Sequence, residues 1–278
     1  MKMRHFFLPL VLLVLLQHAS AANDGDEDNE GEEVLDAPII AYAKVGNTKA
    51  INFLLENTQS KEERTNLLNT LDRKDRSALV WAMRRHRPET ARFLLKEGID
   101  VMHKDCQNHT SLWWAIHGHE WEIAADLVDK GVEVNSDHQH SYLYITAMYS
   151  GGPHKDGALI LADKLIKAGA DIDDRNVRGL RPLDIARKNR RHGMVRLLEK
   201  AIKERPHALH LAAEHSYTKL ALDMVASGKY NFTEVNEAGE TALQVSMKTG
   251  HHDLSKAIKG VLRKRKAAAA EADKNDEL

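Results

Sequence analysis

A six-residue pattern first occurs at Ser77-Ala78-Leu79-Val80-Trp81-Ala82 and then recurs along the chain. Five further copies begin at Thr110, Ser141, Arg181, His207 and Thr241. The third residue is Leu in every copy, the fifth is apolar, and the sixth is small. The first two copies begin 33 residues apart and the last two 34 residues apart. A period of this length predicts a repeat protein in which each repeat packs against its neighbours.

Each repeat is predicted to be a pair of helices. In the third repeat, Thr110 begins the first helix, which ends near His119, and Glu122 to Val128 form the second helix. Gly131 then ends the second helix, because glycine adopts the left-handed conformation at the lowest cost. One face of such a pair is apolar and must be covered by the next pair, so the repeats stack.

The pattern resembles the T-P-L-H-x-A signature of ankyrin repeats. The resemblance implies an all-α ankyrin-repeat solenoid of about seven helix-pair units joined by β-hairpin loops, over residues 37–262. The N-terminal repeat begins near Ile39 without the pattern, as expected of a capping repeat. The fourth repeat has a turn-rich surplus at residues 150–157, and the fifth is too short for its outgoing hairpin. We expect one continuous stack without an internal boundary.

Targeting signals are predicted at both ends of the chain. Residues 1–21 read as a signal peptide, with Lys2 and Arg4 before an apolar run and Ala19-Ser20-Ala21 at the cleavage site. The final residues Asn275-Asp276-Glu277-Leu278 resemble the Lys-Asp-Glu-Leu retrieval signals that a receptor reads. We therefore expect a protein of the endoplasmic reticulum lumen. Asn275 replaces the usual Lys or His, so secretion is the alternative location, and a secreted ankyrin-repeat effector is an alternative function.

Charge is distributed unevenly along the chain. Residues 22–36 form an acidic segment with eight carboxylates between Asp24 and Asp36, whereas residues 37–278 carry a formal charge of +5. The segment has few apolar residues and is predicted to be disordered. We hypothesise that it shields a basic face of the repeats, and a solvated spacer is the alternative. Residues 263–278 are predicted to be a basic and Ala-rich tail that carries the retrieval motif.

Catalytic signals are absent from the sequence. It contains no G-x-S-x-G, no phosphate-binding glycine motif and no H-E-x-x-H. The one cysteine, Cys106, excludes an intramolecular disulfide; it is either an unpaired thiol or a site that captures a client thiol. His117, His119, His138 and His140 could approach one another, so a metal-binding enzyme is an alternative function. We expect no enzyme activity and no cofactor.

The resemblance also indicates where a partner binds. In ankyrin proteins the hairpin tips and the end of each first helix line a concave surface. Carried over to this chain, and with Trp113 and Trp121 added as partly exposed aromatics, the predicted partner-binding residues are Arg73, Lys74, Arg76, Arg84, Arg85, His109, Trp113, His117, Trp121, His138, His140, Tyr149, Arg178 and Lys188. This surface is basic and rich in histidine, so we expect a protein partner with an acidic surface.

Other partner classes follow from the predicted location. The retrieval receptor is expected at the C-terminus, and luminal targeting excludes nucleic acid as a partner. The apolar run near the N-terminus is too short for stable membrane insertion. Trp81 and Trp114 share the fifth position of the pattern and are predicted to belong to a core seam.

Two sequons predict a glycoprotein. They are Asn108-His109-Thr110 and Asn231-Phe232-Thr233, with Asn108 and Asn231 as acceptors. Asn108 also stands where the family has a left-handed glycine, and asparagine tolerates that conformation well. Phe232 is expected to point inward.

Overall fold

The computed structural model describes residues 36–135, 140–151 and 155–276, with the side chains of residues up to 268. These residues form 15 helices and no strand, which confirms the predicted all-α class. The helices are α1 Pro38–Val45, α2 Thr48–Glu56, α3 Lys61–Leu68, α4 Ala78–Arg84, α5 Pro88–Glu97, α6 Ser111–His117, α7 Trp121–Asp129, α8 Tyr142–Tyr149, α9 Lys155–Lys167, α10 Pro182–Lys188, α11 His192–Lys203, α12 Ala208–Glu214, α13 Thr218–Ser227, α14 Ala242–Lys248 and α15 His252–Asp276.

Hydroxyl residues begin the first helix in four of the repeats. The side chains of Ser77, Thr110, Ser141 and Thr241 each accept a hydrogen bond from the backbone N–H three residues later. Each bond satisfies an N–H group that the first turn of a helix leaves without a partner. Thr241 and Gln244 complete a reciprocal capping box. In these four copies the opening residue of the pattern is therefore a helix cap.

Glycine ends the second helix of several repeats, as the sequence predicts. Gly98 follows α5 with a φ of 86°, and Gly131 lies two residues beyond α7 with a φ of 80°. These left-handed conformations stop the helix at little steric cost because glycine has no Cβ atom.

The small residue that ends each copy of the pattern is fully buried. All six of these residues have an exposed fraction of 0%: Ala82, Ala115, Thr146, Ala186, Ala212 and Ser246. The Leu of the third position is buried in the first five copies and half-buried at Leu243. Neighbouring repeats are also linked by hydroxyl groups, since Thr110 Oγ1 lies 2.7 Å from the Tyr142 hydroxyl. The pattern thus marks the inner seam of the repeats.

The chain divides into two compact units, Met1–Ile185 and Ala186–Leu278, where the sequence predicted one continuous stack. In the first unit, α1 packs on α4, α4 on α6 and α6 on α8, and α5, α7 and α9 pack in the same order. In the second unit, α12 packs on α14 and α13 on α15. The division falls in the short fifth repeat. Only residues 204–207 separate α11 from α12, so this repeat lacks its outgoing hairpin, as predicted.

Helix α3 was not predicted. Ser60 caps it by accepting a hydrogen bond from the backbone N–H of Glu63, and the Glu63 carboxylate accepts one from the backbone N–H of Gln59. A serine followed three residues later by glutamate is a helix-start signal that the sequence contains. This extra helix lengthens the first repeat before its hairpin.

One predicted boundary is wrong. Helix α9 begins at Lys155, so Gly157 belongs to the helix and the surplus of the fourth repeat is confined to residues 150–154. Helix α15 extends to Asp276, so it includes residues 263–276 of the predicted basic and Ala-rich tail. Arg265 has a packing role there: its guanidinium donates to the Gly228 carbonyl at 2.7 Å and lies 4.7 Å from the ring centroid of Phe232.

Several predictions fall outside the described residues. They concern the signal peptide, the acidic segment as far as residue 35, His138, and the last two residues of the retrieval motif, Glu277 and Leu278. Among the residues that are described, no helix has both the length and the apolar character needed to cross a membrane.

Candidate functional site

An aspartate in each of two hairpins holds a tryptophan of the following helix. Asp72 Oδ2 accepts a hydrogen bond from Trp81 Nε1 at 2.8 Å, and Asp105 Oδ2 accepts one from Trp114 Nε1 at 2.9 Å. The other oxygen of each carboxylate accepts from the backbone N–H groups two and four residues later, which closes the hairpin. The aspartate therefore fixes the hairpin and the indole together.

The equivalent residue in two later hairpins is asparagine. Asn176 and Asn236 accept the same pair of backbone hydrogen bonds through Oδ1. Nine residues later these repeats have Ile185 and Val245, which carry no side-chain N–H group. A second acceptor oxygen is needed only where tryptophan follows, which explains the aspartates of the first two hairpins.

The Asp72 carboxylate is held in its ionised form. Burial raises its pKa, but hydrogen bonds from the Arg76 backbone and from Trp81, together with the Arg76 charge, outweigh this effect. The pKa of Asp72 therefore lies below its ordinary value. Arg76 Nε donates to Asp72 Oδ2 at 2.8 Å, and this pair is almost entirely removed from solvent.

Cationic side chains surround the two indoles. Lys44 Nζ lies 3.8 Å from the Trp81 ring centroid, and the Arg84 guanidinium carbon lies 5.0 Å from the centroids of both Trp81 and Trp114. The Arg85 guanidinium carbon is 5.7 Å from the Trp81 centroid. Lys44, Arg84, Arg85 and Trp114, arranged around the buried Trp81, form what we call the basic–aromatic surface. Cation–π attraction holds the charged groups over the rings.

A stack of three rings adjoins this surface. Trp113 lies between His109 and His117, with centroid separations of 3.7 Å on each side and interplanar angles of 18° and 20°. His117 Nδ1 is 2.9 Å from the Trp113 carbonyl oxygen. Trp113 also meets Trp114 edge to face, with centroids 4.8 Å apart, so the stack is continuous with the basic–aromatic surface. All three stacked side chains are half-buried.

The predicted partner-binding residues are not all at the surface. Arg73, Lys74, Tyr149, Arg178 and Lys188 are exposed, and Arg84, Arg85, His109, Trp113, His117 and His140 are half-buried. Two assignments are wrong, because Arg76 and Trp121 are only 8% and 6% exposed. Arg76 is turned inward to Asp72, and Trp121 packs against Gly157 of α9. Both residues stabilise the fold.

The four predicted histidines do not form one cluster among the described residues. His117 stacks on Trp113, while the His119 ring lies 4.8 Å from Tyr149 and 5.2 Å from Trp121. His140 lies beside Tyr144. Within residues 36–135, 140–151 and 155–268, no group of three or more His, Cys, Asp or Glu is placed to hold a metal ion.

The core-seam prediction is correct for Trp81, which is 3% exposed, whereas Trp114 is half-buried. Sequence reasoning missed Lys44, because the capping repeat lacks the pattern that would have placed it. It also missed the role of the two hairpin aspartates. The signal for them was present, since Asp stands nine residues before Trp in both repeats.

The predicted glycosylation sites lie at the surface. Asn108 is exposed and has a φ of 63°, which confirms the left-handed turn. Asn231 is also exposed, and its side chain accepts a hydrogen bond from Thr233 Oγ1 at 2.8 Å. Phe232 is 1% exposed and points inward, as predicted. Cys106 is exposed in the hairpin between Lys104 and Thr110.

Comparisons with known proteins agree with the repeat pattern. The family model described as ankyrin repeats in three copies matches residues 9–105 and residues 39–138. No curated protein matches the chain.

Proposed function

We propose that this chain is an ankyrin-repeat protein and acts as a non-catalytic protein-interaction scaffold of the endoplasmic reticulum lumen; the match of the ankyrin-repeat family model to residues 9–105 and 39–138 supports the proposal. The basic–aromatic surface, continuous with the His109–Trp113–His117 stack, is the observation that supports this proposal. It presents positive charge and aromatic area on neighbouring first helices. The partner is a protein with an acidic surface.

The chemistry of the surface favours a protein partner. Tryptophan and arginine are enriched among the residues that dominate binding energy in protein interfaces. Arg84 is the last residue of helix α4 and Arg85 is its C-cap. Both attract carboxylates, while Trp113 and Trp114 supply apolar area nearby. Complementary charge accelerates the encounter and determines the orientation of the partner, and the aromatic groups slow its release.

Affinity capture from a luminal extract tests this role. The wild-type chain is compared with Arg84→Gln/Arg85→Gln and with a control, Arg196→Gln/Lys203→Gln, which removes two exposed cations of α11. We expect a protein that the wild type and the control retain and that the surface variant loses. The affinity of the identified partner should fall at least about tenfold in the surface variant only, consistent with removal of central interface residues. Equal binding by all three chains contradicts the proposal.

The location rests on the two ends of the sequence and is tested separately. The chain is expressed in secretory cells and treated with an N-glycosidase. In the variant Thr110→Ser/Thr233→Ala, serine still completes the first sequon, whereas the second sequon is lost. A smaller shift in mass for this variant than for the wild type would therefore assign a glycan to Asn231. Deleting Asn275 to Leu278 should raise the amount in the medium several-fold. Equal secretion with and without these residues leaves the secreted alternative.

A further inference from the structure

We propose that the acidic residues 24–35 dock intramolecularly on the basic–aromatic surface, with the Asp36–Lys44 ion pair as the fixed end of the docked segment. An acidic partner must then displace the segment before it binds. This inference rests on the proposed function, since it concerns regulation of the same surface.

The described chain begins at this surface. Asp36 Oδ2 accepts from Lys44 Nζ at 2.6 Å, and the same Nζ lies 3.8 Å from the Trp81 ring centroid. Helix α1 begins two residues later, and Ile39 and Ile40 are fully buried, which fixes the position of Asp36. The acidic segment is therefore connected to the fold beside Trp81.

The charges of the two elements are complementary. Residues 24–35 contain seven carboxylates and no Lys or Arg. Trp81 is contacted by four cations, Lys44, Arg76, Arg84 and Arg85. Asp36 and Asp72 are the carboxylates of this region that pair with Lys44 and Arg76. Arg84 and Arg85 also place positive charge beside Trp81, and this charge attracts the carboxylates of the segment.

The segment is long enough to cover the surface. Twelve residues span roughly 40 Å when extended, at about 3.3 Å per residue. The surface itself is small. Lys44 Nζ lies 3.8 Å from the Trp81 ring centroid, and the Arg84 guanidinium carbon lies 5.0 Å from the centroids of both Trp81 and Trp114. A segment of this length attached at Asp36 is therefore able to reach Arg84 and Arg85 without any change in the described fold.

Attachment makes weak docking effective. A short tether holds its ligand at an effective concentration in the millimolar range. Suppose that the free peptide binds the uncovered surface with a dissociation constant on the order of 0.1 mM. The tethered segment then lowers the apparent affinity of a competing ligand for this surface about tenfold. Masking must also weaken with salt, because the Debye length falls from about 14 Å near 50 mM to roughly 4 Å near 500 mM.

The experiment measures binding of one defined probe. The probe is a fluorescein-labelled synthetic peptide of residues 23–36, and its binding is followed by fluorescence anisotropy at about 50 mM and about 500 mM NaCl. Three proteins are compared: residues 22–278, the same chain without residues 23–35, and the same chain with all carboxylates from Asp24 to Glu33 replaced by Asn or Gln. The last variant keeps the length of the segment and leaves the folded residues unchanged.

We expect the probe to bind the deleted and the neutralised chains about tenfold more tightly than the intact chain at low salt. The gain should fall below about twofold at high salt. In the deleted chain, Arg84→Gln/Arg85→Gln should abolish probe binding, and the control Arg196→Gln/Lys203→Gln should leave it unchanged. Circular dichroism of each variant checks that it is folded.

Three results overturn the inference: no binding of the probe to the deleted chain, equal binding to the intact and deleted chains, or binding that does not depend on Arg84 and Arg85. These results are separable from failure of the proposed function. A luminal partner that requires Arg84 but binds the intact and deleted chains equally leaves the proposed function standing and removes the masking. If the probe binds as expected but no luminal partner is found, the masking stands and the proposed function fails.

Discussion

Replacing Asp72 by Asn tests whether a carboxylate is required where tryptophan follows the hairpin. The amide keeps one oxygen for the backbone of the hairpin but places an NH2 group against Trp81 Nε1 and Arg76 Nε, which both donate to Asp72 Oδ2 at 2.8 Å. Each buried donor that loses its acceptor costs roughly 1–3 kcal/mol. With two such donors, we expect the free energy of unfolding to fall by about 3 kcal/mol.

The control for this change is Asn236→Asp. Asn236 accepts the same backbone hydrogen bonds, but Val245 follows it where tryptophan follows Asp72, so the second oxygen has no indole to serve. We expect an effect within about 0.5 kcal/mol. Urea unfolding followed by far-UV circular dichroism gives both values. Equal losses for Asp72→Asn and Asn236→Asp would refute the reasoning.

The effect of Asp72→Asn should also depend on pH. The folded state lowers the pKa of Asp72, so its ionised form contributes stability that is fully present above the unfolded value of about 3.9. This contribution is lost as the pH falls through the lower, folded pKa. The difference in unfolding free energy between the wild type and the variant should stay constant from about pH 7 to pH 5 and shrink below about pH 4. A constant difference at all pH values contradicts the ionic role.

Two further predictions concern packing. Leu112→Ala should lower the free energy of unfolding by about 2–5 kcal/mol because Leu112 is 0% exposed. The control Lys188→Ala, at an exposed position, should change it by about 0.5 kcal/mol or less. Similar melting temperatures for the two variants would contradict this prediction. Gly157→Ala should destabilise by about 1–3 kcal/mol, since an added Cβ would lie 2.9 Å from Trp121 Cβ. Gly260→Ala, where the added Cβ meets no atom within 4 Å, should stabilise α15 by about 0.5–1 kcal/mol; thermal melts that rank the two glycine variants in the opposite order refute the packing argument.

The buried seam could be predicted from the sequence because its cause is local and periodic. A small residue recurs at the sixth position of every copy, and all six of these residues are fully buried. The left-handed turn at Asn108 and the inward position of Phe232 follow from the same register. These features repeat, so each copy supports the interpretation of the others.

The basic–aromatic surface could be predicted only in part. Arg84 and Arg85 follow the pattern directly, but Lys44 belongs to a repeat without the pattern and meets Trp81 only through the packing of α1 on α4. The burial of Trp121 depends on Gly157, which lies inside a helix that begins earlier than the turn-rich composition suggested. Contacts between distant parts of the chain therefore decided the residues that sequence reasoning misplaced.

The aspartate–tryptophan bond joins residues only nine positions apart, in a hairpin and in the helix that follows it, and this has a consequence for how such a chain changes over generations. A genetic event that duplicates or removes one repeat period beginning before the hairpin carries Asp72 and Trp81, or Asp105 and Trp114, as a matched pair. The hydroxyl contact of Thr110 with Tyr142 joins residues of two repeats and would be broken by an insertion between them. The number of repeats can therefore change while indoles such as Trp81 and Trp114 keep their acceptors, and only the contacts across the new junction have to be re-formed.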